Sequence, residues 1–153
     1  MLESVRRILL IVLSCFTINS SVEMPIIYID IPKINVYEEI YDKESINNDI
    51  NKHVIIMKES GYPGEGRNVI IGAHSGSGPL AYFRELDKLE VGDQIIINYQ
   101  DKQYVYIVSN IHKDDKNGKI KIRENDSLTL FTCYPGDKNN YLIISASLQV
   151  KFV

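Results

Sequence analysis

No stretch of this sequence is long and apolar enough for a standard membrane helix. The best candidate, Ile8 to Ile18, has eleven residues, where a span of the bilayer core needs about 20. Positive charge is scarce too. The formal net charge is −3, and no cluster of Lys and Arg offsets it, which argues against a nucleic-acid binder. There are only two cysteines, Cys15 near the N-terminus and Cys133, so the globular part carries one unpaired thiol. Tryptophan is absent, which excludes nothing by itself, and there are no internal repeats or low-complexity linkers. No arginine follows Arg123.

What is present is ordinary for one soluble domain: 44% hydrophobic and 24% charged residues in 153, enough to bury a core. Abundant Ile, Val and Tyr favour β structure. Residues 1–22 stand apart. Arg6-Arg7 followed by the short apolar run fits the n- and h-regions of a signal peptide, with Asn19-Ser20-Ser21 as a cleavage zone. An uncleaved short membrane anchor is the alternative, and Val12-Leu13-Ser14-Cys15 offers a degenerate lipid-attachment reading. Export is expected in each case, and residues 26–153 form the domain.

Along that domain, Ile26–Ile31 and Ile34–Tyr41 read as strands separated by Pro32. Asp42–Asn51 reads as a short helix or turn, His53–Met57 as a strand, and Gly61–Gly66 as a loop. Asn68–Ala73 is a strand ending at His74, before the loop Ser75–Pro79. Leu80–Leu89 carries Phe83, Leu86 and Leu89 at helical spacing. Gln94–Gln100 and Gln103–His112 form a hairpin about Asp101-Lys102, followed by a charged turn at Lys113–Asn117 and a small strand at Lys119–Arg123. Ser127–Thr132 and Tyr141–Leu148 close the chain as strands. Seven to nine short strands with short helical inserts predict an all-β barrel or sandwich.

Two residues occupy matching positions. His74 ends one strand before a Gly/Ser loop, and Cys133 ends another before Pro135-Gly136. On neighbouring strands both would stand at one rim of the sheet, where an imidazole can accept and return a thiol proton during acyl transfer through a thioester. Cysteine is also among the most buried residue types, so position alone does not separate catalysis from packing. His53 and His112 read as surface or rim residues, and Asp114-Asp115 as a solvated turn, so no metal and no cofactor are assigned.

Four motifs then occur in order. Thr129-Leu-Phe-Thr-Cys133 resembles the TLxTC motif of sortases, the cysteine transpeptidases of Gram-positive cell envelopes. Asn68-Val-Ile-Ile-Gly-Ala-His74 resembles the sortase histidine strand, Ile31-Pro-Lys-Ile-Asn-Val36 the opening IPKIxV strand, and Leu86–Ile95 the segment after the histidine. The resemblance spans about Ile26 to Leu148. It implies a closed eight-stranded sortase-like β-barrel with short helical inserts. It implies that Cys133 attacks the Thr–Gly bond of an LPxTG-like sorting signal in an exported protein, with His74 as general acid and then base, and Thr132 supporting the thiol. A cell-wall precursor amine or a pilin lysine would resolve the thioester at the extracytoplasmic face of the membrane, or outside the cell.

One family feature is missing. Sortases keep an arginine on the final strand that holds the substrate carbonyl or oxyanion, and here Tyr141 aligns with it, with Asn140 one step away. Both donate hydrogen bonds but neither carries a fixed charge. Arg84 and Arg123 are the arginines that could reach the groove from loops. The short Lys113–Ser127 segment and the lack of an apolar tail after Val153 suggest a compact class A- or D-like member. A catalytically idle peptide-binding barrel and a cysteine hydrolase of the same fold are the rival readings.

Overall fold

The computed structural model describes residues 23–118 and 125–152. The leader with Cys15, and the strand expected at Lys119–Arg123, lie outside the described residues. The chain forms eight strands and, among the described residues, two single 3₁₀ turns, Pro32–Ile34 and Leu86–Lys88.

Strand β1 (Ile27–Ile31) shows how pattern becomes structure. Its alternate residues Ile27, Ile29 and Ile31 are fully buried while Tyr28 and Asp30 are not, the two-residue period of a strand with one face on a core. Pro32 cannot donate to the ladder and ends it. The 3₁₀ turn that follows, with Asn35 in the left-handed region at φ 52, reverses the chain into β2 (Val36–Ile40), which pairs back on β1. Next come β3 (Ile55–Ile56) and β4 (Val69–Gly72). The hairpin of β5 (Gln94–Tyr99) and β6 (Lys102–Asp115) turns through Gln100 and Asp101, both at positive φ, as a two-residue turn matched to strand twist requires. Strands β7 (Ser127–Tyr134) and β8 (Asp137–Phe152) form the last hairpin.

The spatial order is β2-β1-β5-β6-β8-β7-β4-β3. Every neighbouring pair is antiparallel except β4 and β7, which run parallel. The sheet curls into a nearly closed barrel around one core that includes Ile29, Ile97, Tyr106, Leu128, Leu130 and Ile144. The free side of β3 is occupied by a side chain: the Asn48 amide accepts from the Ile56 N–H at 3.0 Å and donates to the Ile56 carbonyl at 2.8 Å. Both edge groups of that residue are thereby satisfied as a neighbouring strand would satisfy them.

Two local expectations change, while Asp42–Asn51 folds as turns, one of the two forms expected. Leu80–Leu89 also folds as turns and one 3₁₀ turn, although Phe83, Leu86 and Leu89 are buried as their spacing implied. The charged segment at Lys113 is not a turn until Lys116. Strand β8 is 16 residues long and keeps β6 paired through Asp115, with Lys113 opposite Leu142 and Asp115 opposite Asn140. Cross-strand pairing overrides composition there.

Inside the barrel the Tyr106 hydroxyl is buried and, among the described residues, has no hydrogen-bond partner, and desolvation pushes its ionisation well above the usual tyrosine range. An unsatisfied buried hydroxyl costs folding free energy that a phenyl ring does not. Tyr106→Phe is expected to raise stability by about 1 kcal/mol, read as a higher urea midpoint at unchanged slope.

Candidate active site

The parallel pair β4–β7 positions the two chemically important residues. Val69 lies beside Leu128, Ile70 beside Thr129 and Gly72 beside Phe131. His74 follows Gly72 by two residues and Cys133 follows Phe131 by two. Both therefore emerge level, on the outer face of the barrel that carries Ile70, Gly72 and Phe131. Side chains lock this register at both ends. At the start, the buried Asn68 amide donates to Thr129 Oγ1 at 3.1 Å and accepts from Ser127 Oγ at 3.0 Å. At the far end, Thr132 Oγ1 donates to the Ala73 carbonyl at 2.7 Å and Ser75 Oγ donates to the Cys133 carbonyl at 2.9 Å. His74 is thus bracketed by two cross-links to the segment bearing Cys133. Among the described residues the imidazole makes no hydrogen bond to the thiol.

A second apolar layer supports the site from outside. Ile70, Phe131 and Ile143 pack together on the outer face with Met57 and Tyr141 against them. The Phe131 ring lies so close over Gly72 that a β-carbon there would fall 2.2 Å from its Cζ. Glycine is required at the position two residues before His74 because a ring occupies the side-chain space.

Strand β8 shapes the rest. Cys133 pairs with Tyr141, but the next residue, Tyr134, pairs with Asp137, so residues 138–140 of β8 have no counterpart on β7. Such an irregularity bends a strand and re-aims the neighbouring side chain, and here it adjoins the thiol. The displaced residues lean towards β6: Asn140 pairs with Asp115 and the Asn139 carbonyl accepts from the Lys116 N–H at 3.1 Å. Pro135-Gly136 closes the hairpin, with Gly136 at φ 75 as a turn of this kind demands.

A groove of about 630 Å³ opens at this end, bounded by Ser75-Gly76, Arg84, Lys116 and the segment from Tyr134 to Lys138, with Cys133 in its wall. His74 is not among its lining residues. Arg84 does border it, but its guanidinium donates to the Gly76 and Gly78 carbonyls, both at 2.8 Å, and so braces the loop after His74. Arg123 lies outside the described residues. Tyr141 stands opposite Cys133, its ring edge-on to Phe131 at 5.6 Å. Asn140 instead donates to the Asp137 carboxylate. The residue that sequence reading missed is Lys116, whose Nζ lies 3.0 Å from Cys133 Sγ. Its only signal in the sequence is the missing arginine, because a lysine inside an apparent charged turn reads as solvated surface.

A sortase-domain family model matches residues 29–149. The chain belongs to the sortase family. Among solved structures it is similar to a Clostridium perfringens sortase D5 transpeptidase, at 25% identity and TM-score 0.72, covering 82% of this chain and 79% of that one. It is similar to Streptococcus pneumoniae sortase C at 26% identity and TM-score 0.74, covering 85% and 71%. A lid mutant of Corynebacterium diphtheriae sortase A shares the fold, at 24% identity and TM-score 0.75 over 87% and 74%. Sortases of classes A, C and D therefore resemble this member to similar degrees. A search of curated proteins finds no significant match.

In this sortase-family chain the groove wall is held by an ion pair that crosses from β6 to the final hairpin. Lys113 pairs with Asp137 and lies over the Tyr134 ring, 4.8 Å from its centre. The Lys113 ammonium, the Asn139 N–H and the Asn140 amide all favour the charged carboxylate and lower the Asp137 pKa to about 2. A carboxyl depressed in the folded state stabilises it above the unfolded value of about 3.9 and loses that contribution as pH falls towards the folded value. A carboxyl NMR titration is expected to show Asp137 charged until pH approaches 2. In Lys113→Met its midpoint should move up towards the ordinary carboxylate range.

Proposed function

We propose that the protein is an exported cysteine transpeptidase that cleaves an LPxTG-like sorting signal and transfers the released acyl group to a cell-envelope amine. His74 takes the Cys133 thiol proton, Cys133 Sγ attacks the carbonyl carbon of the Thr–Gly bond, and the carbonyl electrons move to oxygen. As the tetrahedral species collapses, the C–N bond breaks and the leaving glycine amine takes a proton from His74. The thioester is then attacked by an incoming amine, which returns a proton to His74 as the Cys133–acyl bond breaks. Thr132 acts as a positioning residue by tying β7 to the carbonyl of Ala73, beside His74. At the arginine position Tyr141 pairs with Cys133 across the hairpin and offers a neutral hydroxyl donor, while the Asn140 amide is engaged by Asp137.

The observation that carries this reading is the common register of β4 and β7, in which Gly72 pairs with Phe131, each two residues before His74 and Cys133. Membership of a family of cysteine transpeptidases supports it. The partners are exported proteins with C-terminal sorting signals and a cell-wall precursor or pilin amine, met at the extracytoplasmic face of a Gram-positive-type membrane or in the secreted state.

The test is direct. Incubation with a panel of LPxTG-type peptides and a vinyl-sulfone analogue is expected to give a mass-spectrometric adduct at Cys133 that is absent in Cys133→Ala. His74→Ala should lower turnover by roughly 10²–10⁴. Added amine should divert product from hydrolysis to ligation, and hydrolysis alone would identify a hydrolase. Absence of any adduct across the panel would leave the idle peptide-binding barrel as the better description.

A further inference from the structure

We infer that Lys116 supplies the positive charge at the acyl-transfer centre, in place of the arginine that the final strand lacks. The inference rests on the proposed role of Cys133 as nucleophile. Lys116 is the first residue beyond β6, and three features hold its backbone. Its N–H donates to the Asn139 carbonyl, the Asn117 N–H donates to the Asp115 carboxylate at 2.7 Å, and the Gly118 N–H donates to the Asp115 carbonyl at 2.9 Å. From there the side chain reaches over β8, which lies between β6 and β7. Its Nζ stands 5.0 Å from the centre of the Tyr141 ring and 3.0 Å from Cys133 Sγ.

Each part of this arrangement has a reason. An ammonium over an aromatic face is attracted by the ring quadrupole, so tyrosine at the arginine position serves as a platform for a cation arriving from the neighbouring strand. The residues of β8 displaced next to Cys133 carry the carbonyl that fixes the lysine backbone. Among the described residues Lys116 has no carboxylate partner, whereas nearby Lys113 is paired with Asp137. The charge of Lys116 is therefore available to an anion. Sγ is the reacting atom, and the oxyanion formed on attack is two bonds from it. The ammonium donates first to sulfur and then to that oxygen, and it keeps its own proton throughout. The leaving amine is protonated by His74, so no proton is counted twice. An ammonium in such a position stabilises charge that develops only in the transition state.

Two measurements test this, one of which needs no sorting peptide. Cys133 is alkylated in the intact protein with neutral iodoacetamide and with anionic iodoacetate, and the Cys133 peptide is followed by mass spectrometry so that Cys15 does not contribute. The iodoacetate-to-iodoacetamide rate ratio is expected to fall about five-fold in Lys116→Met, the weight of one unit charge some 4 Å away in water. Lys116→Arg should retain it. An unchanged ratio in Lys116→Met overturns the inference. With a sorting peptide, Lys116→Met should lower kcat by roughly 10²–10³ with little change in KM, and Lys116→Arg should recover most of the loss. Wild-type kcat in Lys116→Met would overturn the lysine's role while leaving acyl transfer by Cys133 standing. A fallen alkylation ratio in a protein that no sorting peptide modifies would instead support the charge at sulfur and remove the transpeptidase reading.

Discussion

The parallel pairing of β4 with β7 is the constraint on which the rest of the molecule depends. Among the described residues it is the one parallel contact in a sheet of antiparallel neighbours, and its two strands are joined through the whole β5–β6 hairpin. A slip of one residue would send either His74 or Cys133 to the opposite face, because side chains alternate along a strand. Apolar residues alone guard weakly against such a slip here, since β4 and β7 are buried on both faces. Specific polar contacts supply the discrimination. Asn68 reaches Ser127 and Thr129 below the site, and Thr132 and Ser75 close the register above it.

Around that pair the structure is built outward. The inner faces of β4, β7 and β8 fill the barrel, while their outer faces carry Ile70, Phe131 and Ile143. This outer layer packs beneath the strand ends that carry the thiol, and Gly72 leaves the space that the Phe131 ring fills. The irregularity of β8 beside Cys133 diverts three residues towards β6, and with them the anchor for Lys116. The groove, the aromatic platform and the nearby cation thus share one local cause.

Much of this was legible in the sequence. The strand at Ile27–Ile31 and its stop at Pro32 followed from alternation and from proline chemistry, and the β5–β6 hairpin from two strand-like runs around a polar turn, which falls at Gln100-Asp101 rather than Asp101-Lys102. Cys133 and His74 stood out because each ends an apolar strand at a glycine-containing loop. The errors share one physical origin. Leu80–Leu89 has helical spacing but is too short and too interrupted to close more than a 3₁₀ turn, and what it conveys is burial. Lys113–Asp115 looks like a turn by charge, yet a long partner strand keeps it paired. Composition and spacing report local preference, and tertiary context decided both segments, burial the first and strand pairing the second.

The sequence by itself determined the family, an all-β barrel, and the two residues proposed to carry the chemistry, because short motifs and strand periodicity are local properties. It also determined that the usual arginine is missing, since that too is a matter of order along the chain. Only the tertiary structure decided where a positive charge stands instead. Lys116, just past the end of β6, and Cys133, on β7, are 17 residues apart; β6 and β7 do not pair with each other, and the two residues meet across β8, where Nζ also lies over the Tyr141 ring. No pattern along the chain records a contact made across an intervening strand.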